Sequence, residues 1–311
     1  MLRGLALLTR LGQGTLVGPA RLAPWAESLG VSLVSPPEPI DKPSLERFFA
    51  GLDPPDLLIV DVFPRGLLGE LEGLRSRARA SWLVTRIVKP AYYRHPPVRE
   101  ALATFERVIW TEDPPAGLLT AQGPGSLESR LAPLLLAPAL PPRAEARARL
   151  GLGASERVIL ALGAGPHDGQ VRLHRLLVRL SAELAARLMF VSDELPDEPS
   201  VVRAFPAAPL LPAADVVVSA GGYHSFHELR AAAVPAVFLP QQRRYDDQHL
   251  RVRGCLVAED PASLEKALGA ALEGDPPPQA FPPRLEHPEA GVEALAELVR
   301  ERLERRRSAS T

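Results

Sequence analysis

The chain has 311 residues, 46% of them hydrophobic, and a formal net charge of -1. That length allows two domains with real cores, and the balanced charge excludes a global basic field that would draw in nucleic acid. The single cysteine, Cys255, excludes an intrachain disulfide framework and fits a reducing compartment.

In chain order, "LRGLALLTRLG" (2–12) has helical spacing of its leucines. Short apolar runs follow at 14–18 (GTLVG), 31–35 (VSLVS), 56–61 (DLLIVD), 81–85 (SWLVT) and 107–111 (RVIWT), separated by segments long enough for helices. Strands alternating with helical patterns predict βαβ units and a parallel sheet. Residues 131–147 hold a last apolar run and a Pro-Pro break, read as an interdomain linker. The first domain is therefore set at 1–142 and the second at 143–311.

The second half repeats the pattern. Strands are predicted at 156–163, 188–192, 215–219, 235–240 and, briefly, 255–258. Helices are predicted at 169–187, 223–233, 260–274 and 288–307. Asp260 suits an N-cap, Pro261 the first helical position and Gly274 the stop. No apolar run reaches the length of a membrane span. The expected architecture is α/β, with two Rossmann-like, doubly wound domains facing a cleft.

The most informative stretch is "SAGGYHSFHELRAAAVPAVFLPQQRRYDDQH" (219–249). A strand running into Gly221 and Gly222 and then a helix puts flexible backbone and free N–H groups at a sheet's carboxyl edge, where a phosphate is the natural guest. Tyr223, His224 and Ser225 add side-chain donors. Glu228, one turn further, makes poor sense beside a phosphate unless it accepts from ribose hydroxyls. Asp247 and Gln248 follow the next strand and reach the same edge. "HSFHE" and "YDDQH" match no metal-ligand spacing, and no metal or cofactor is assigned.

This ordered set resembles the donor-binding half of GT-B glycosyltransferases. The closest likeness is to the family of the N-acetylglucosaminyltransferase of peptidoglycan lipid synthesis and to related predicted glycosyltransferases. Val234 stands where that family has Gly, and His249–Leu250 where it has Asn-Ala. The resemblance implies that Gly221 to Ser225 face the donor diphosphate, Glu228 holds the ribose, and Asp247 and Gln248 hold the sugar. "ALGAGPHDGQ" (161–170) adds a Gly-rich loop near the phosphates, with Gly163 and Gly165 as candidates. "PDLLIVDVFPRGLLGEL" (55–71) and "TRIVKPAYYRHPP" (85–97) resemble acceptor-side segments, offering Asp61, Arg65 and Arg86.

The family's first domain opens with a strand and a Gly-rich loop that carries the catalytic base. This chain begins within the helix that follows, with Arg3 at a family arginine, so its first domain is expected to lack that strand and loop. The expected reason is a start codon assigned too far downstream, and no catalytic residue is named. The implied activity is metal-independent transfer of a hexose or N-acetylhexosamine from a nucleotide-diphosphate sugar, UDP-linked, to an acceptor, lipid-linked or free. Alternatives are a nucleotide-sugar hydrolase or epimerase and a non-catalytic nucleotide-sugar binding protein. The implied compartment is the cytoplasm, with the arginine-rich last helix allowing peripheral contact with the inner membrane face.

Overall fold

The structure is a computed structural model that describes residues 2–38, 40–66, 68–113, 127–136 and 140–309. The chain divides into two compact units, Met1–Leu136 with Pro288–Thr311, and Ala137–His287. Among the described residues no helix is long and apolar enough to cross a membrane.

In the first unit, β1 (Thr15–Val17) and β2 (Ser32–Val34) form a two-stranded parallel sheet. β3 (Leu58–Asp61), β4 (Ser81–Thr85), β5 (Arg107–Trp110) and β6 (Leu127–Arg130) form a second parallel sheet in that order. Every residue of β4 is buried, as expected of a parallel strand covered on both faces. Trp82 and Val84 pack on one face with Ile109, and Leu83 on the other with Val108 and Tyr93. The expected single doubly wound sheet is thus two sheets here, and no strand among the described residues joins β1 to β3. β6, "LESR", carries too little apolar patterning to be visible in the sequence.

The second unit is one five-stranded parallel sheet. Its strands are β7 (Val158–Leu162), β8 (Arg187–Val191), β9 (Val201–Val202), β10 (Val216–Ser219) and β11 (Ala236–Phe238). The order is β11-β10-β7-β8-β9. The chain winds outward from β7 to β9, then returns to place β10 on β7's other side. That reversal makes a topological switch point between β7 and β10. Helix Tyr223–Ala232 belongs to the apolar layer on one face, and helices His167–Glu183 and Pro261–Leu272 to the layer on the other. Asp260 caps the last of these through a reciprocal bond with Ser263, as expected. Residues 255–258 make only the single bridge Phe238–Val257 rather than a strand.

Two expectations are corrected. The apolar run at 131–136 is core of the first unit, with Leu134 and Leu135 buried, although the unit boundary does fall just after it. The closing helix, Ala290–Ala309, expected in the second domain, packs on the first unit. Val292, Leu295, Ala296 and Val299 bury against Ala6, Leu7, Trp82 and Ile109. Gly291 permits the approach, because a Cβ there would collide with the Ala132 and Pro133 carbonyls.

Candidate functional site

The carboxyl ends of β7 and β10 lie side by side, with Ala161 in register with Val218. Both are followed by glycines, so the loops at 163–165 and 220–222 flank the switch point. Gly221 is left-handed (φ 70°), and Gly222 is extended and precedes the helix Tyr223–Ala232 with no side-chain cap. The helix therefore opens with its first-turn N–H donors uncovered by a capping side chain.

The glycines differ in purpose. A Cβ at Gly221 would collide with Val252 Cγ1, so this glycine is required by its backbone and by packing. A Cβ at Gly163 would fall 2.6 Å from the Val191 carbonyl oxygen and Gln170 Oε1. Gly165 is left-handed (φ 94°) and pressed against Gln241. Gly222 meets nothing closer than Ser225 Oγ at 3.5 Å. The protein's own packing does not demand a glycine there.

Two glutamines and a serine that sequence reasoning missed knit the edge together. Gln170, buried, donates to the Gly165 carbonyl (3.0 Å) and accepts from Ser192 Oγ (2.7 Å) at the end of β8. Gln241 donates from Nε2 to the Ala164 carbonyl (3.0 Å) and from its backbone to Gln248 Oε1 (2.8 Å). The loops after β7, β8 and β11 are thereby held as one surface.

Glu228 is 7% exposed and forms no hydrogen bond or ion pair among the described residues. Burial alone pushes its carboxyl up to about 7. A buried acid without a partner, one turn inside a helix that begins at a switch point, leaves carboxyl oxygens able to accept from hydroxyl donors. Its neighbours are occupied. Arg230 Nη1 donates to His227 Nδ1 (3.0 Å) and Arg230 Nε to the Pro283 carbonyl (2.6 Å).

Tyr223 is buried, its ring edge-on to His224 and His227, and Ser225 Oγ donates to the Gly222 carbonyl (3.1 Å). Asp247 caps the short helix Gln248–Arg251 by accepting from Leu250 N (3.1 Å). Gln248 is buried, with Oε1 taken by Gln241. The left-handed residue before Pro235 is Ala233 (φ 52°), not Val234. The position that suits glycine is therefore one residue earlier than expected.

In the first unit, Asp61 ends β3. Its carboxylate pairs with Arg3, which also donates to Thr111 Oγ1 (3.1 Å). Burial opposes ionisation of Asp61, but the surrounding positive charge, that of Arg3 foremost, prevails and holds its carboxyl well below the usual carboxylate range. Val62, next along, has φ 70°, an unfavourable backbone for a β-branched residue, and Phe63 N bonds back to the Asp61 carbonyl (2.9 Å). Arg65 is not drawn to Asp61 but pairs with Glu72. Among the described residues no group of three His, Cys, Asp or Glu could hold a metal ion.

No protein-family model matches the sequence, and no curated protein does. Solved structures do match over nearly the whole chain. The glycotransferase of kitacinnamycin superposes with a TM-score of 0.58 at 17% identity, covering 97% of this chain and 95% of its own. The fold is that of the GT-B glycosyltransferases. Arabidopsis thaliana UGT89C1, complexed with UDP, shares the GT-B fold with a TM-score of 0.60 at 13% identity over 96% and 90% of the two chains. The spinosyn rhamnosyltransferase SpnG, complexed with thymidine diphosphate, gives 0.52 at 16% over 96% and 93%.

Proposed function

We propose that the protein is a glycosyltransferase that moves a hexose or N-acetylhexosamine from a pyrimidine nucleoside diphosphate sugar to a hydroxyl acceptor. The observation that carries this reading is Glu228, a buried carboxyl without a partner, one turn beyond an uncapped helix start at the β7–β10 switch point. Ribose hydroxyls supply the donors it lacks. The turn at Gly221–Gly222 and the first amides of the helix take the diphosphate, with the loop at Gly163–Gly165 beside them. As the glycosidic bond breaks, charge grows on the leaving diphosphate, and preorganised amides and the helix dipole stabilise it without a metal ion. The free amide of Gln248 and the second carboxylate oxygen of Asp247 serve the sugar.

UDP is the first choice of nucleotide. Two proteins of the same fold, complexed with UDP and with thymidine diphosphate, support a pyrimidine in general. Asp61 and Arg86 are assigned to the acceptor side. Asp61 is too weak a base in its pair with Arg3 to take a proton from a hydroxyl near neutral pH, so its role is to orient.

The test is product analysis. UDP-glucose, UDP-N-acetylglucosamine and TDP-glucose are incubated with the protein, with and without a panel of hydroxyl acceptors. Release of nucleoside diphosphate together with a glycosylated acceptor supports transfer. Release with free sugar alone identifies a hydrolase, and binding without turnover of any donor identifies a binding protein.

A further inference from the structure

Arg251 lies where the two loops of the second unit's site meet. Its side chain is 1% exposed, and Nη2 lies 2.8 Å from Asp246 Oδ1. Nη1 donates at 3.2 Å both to Asp246 Oδ2 and to the carbonyl of Gly221. Asp246 belongs to the segment after β11, adjacent to the cap Asp247, whereas Gly221 is the left-handed residue that aims the helix start. The next residue, Val252, leaves no room for a side chain on Gly221, since a Cβ there would collide with Val252 Cγ1. A guanidinium is a rigid planar fork that stays charged, so once buried it fixes the geometry of what it touches. A buried ion pair gives little net stability over well-packed apolar groups of the same size. Filling space does not explain an arginine at this position.

We propose that Arg251 is a positioning residue. It holds the Gly221–Gly222 turn in its anion-receiving form and ties that turn to the sugar-facing segment through Asp246. The inference rests on the nucleotide-sugar reading of the site and names a residue that the reading does not use. It predicts that Arg251 governs recognition of the phosphates and not of the nucleoside, because Glu228 lies on the helix beyond the turn.

Uridine, UDP and thymidine diphosphate are titrated calorimetrically into the wild type, and uridine and UDP into Arg251→Lys and Arg251→Met. Amide exchange is followed at residues 221–225 in the unliganded proteins. The expected result is a loss of at least tenfold in UDP affinity for Arg251→Met, with uridine affinity within twofold of wild type. Arg251→Lys, which reaches one partner but not both, falls between. Exchange at 221–225 speeds up in Arg251→Met while the β7 amides keep their protection. Equal losses for uridine and UDP, or no loss for either, overturn the proposal. Should Arg251→Met not fold, Asp246→Asn removes, at constant size, the charge that holds the guanidinium and must show the same split; an unchanged UDP-to-uridine ratio overturns it. If the wild type binds none of uridine, UDP and thymidine diphosphate, the nucleotide reading fails. The coupling is then decided by amide exchange alone, and unaltered exchange in both variants rejects it.

Discussion

The Asp61 carboxylate accepts a hydrogen bond from the Arg3 guanidinium, joining the end of β3 to the start of the first helix across 58 positions of sequence. The partners are unequal: the Arg3 side chain is 4% exposed and that of Asp61 34%. Asp61→Asn strands a charge in the interior and should destabilise the protein by roughly 3 kcal/mol. Arg3→Met leaves a carboxylate that water can reach and should cost clearly less. The Asp61 carboxyl is lowered in the folded state, so its contribution is complete above the unfolded value of about 4 and is lost as pH falls towards the folded one. Equilibrium unfolding should therefore show the gap between wild type and Asp61→Asn shrinking below about pH 4.

Glu228 carries the opposite sign. Its folded carboxyl is raised to about 7, so its stabilising contribution is complete below the unfolded value near 4.3 and is lost as pH rises through 7. In the unliganded protein this residue alone should weaken folding between pH 5 and pH 8 by on the order of 3 kcal/mol. Glu228→Gln should raise stability at pH 8 and much less so at pH 5. Chemical denaturation at the two pH values checks this; a Gln variant weaker than wild type at pH 8 would show that the carboxylate has a cationic partner.

The paired glycines should separate folding from binding. Gly221→Ala meets both a left-handed backbone and Val252. It should cost about 3 kcal/mol in unfolding experiments, from backbone strain and overpacking together. Gly222→Ala has an ordinary backbone and room beside Ser225. It should fold with near wild-type stability while weakening UDP binding by tenfold or more, since its methyl group would stand in the proposed path of the diphosphate.

At Asp247 the cap has to be kept apart from the sugar. Asp247→Ala removes the acceptor of Leu250 N and should cost about 1 kcal/mol. Asp247→Asn retains capping and should spare stability. In donor kinetics, Asp247→Asn is expected to raise KM for the sugar nucleotide while leaving affinity for UDP itself unchanged.

Much of the second unit was legible because its strands are short β-branched runs punctuated by glycine. "DVVVSAGG" could only be a buried strand that turns, and it is β10 followed by the Gly221 turn. Glu228 stood out because a carboxylate there contradicts a phosphate site taken alone. Periodicity did not foretell that the helix Ala290–Ala309 returns to the first unit, because an amphipathic helix does not state which apolar face it will meet. Nor could it split the first sheet, which depends on which strands become neighbours. Nothing in the linear pattern singles out Gln170, Gln241 or Arg251. Their meaning arises only when strand ends far apart in sequence converge on one edge. The resemblance makes Asp247 a ligand contact, but a carboxylate three residues before an amide that needs an acceptor is equally a cap.

The central claim is that Glu228 grips the ribose of a nucleoside diphosphate. Calorimetric titration of UDP into wild type and Glu228→Ala from pH 5.5 to 8.5 tests it most directly. Wild type should bind, releasing protons and tightening as pH rises through about 7, because ribose hydroxyls favour the ionised carboxylate; Glu228→Ala should bind at least tenfold more weakly, with no such pH dependence. Equal affinity in the two proteins, or no heat of binding for wild type at any pH, would contradict it.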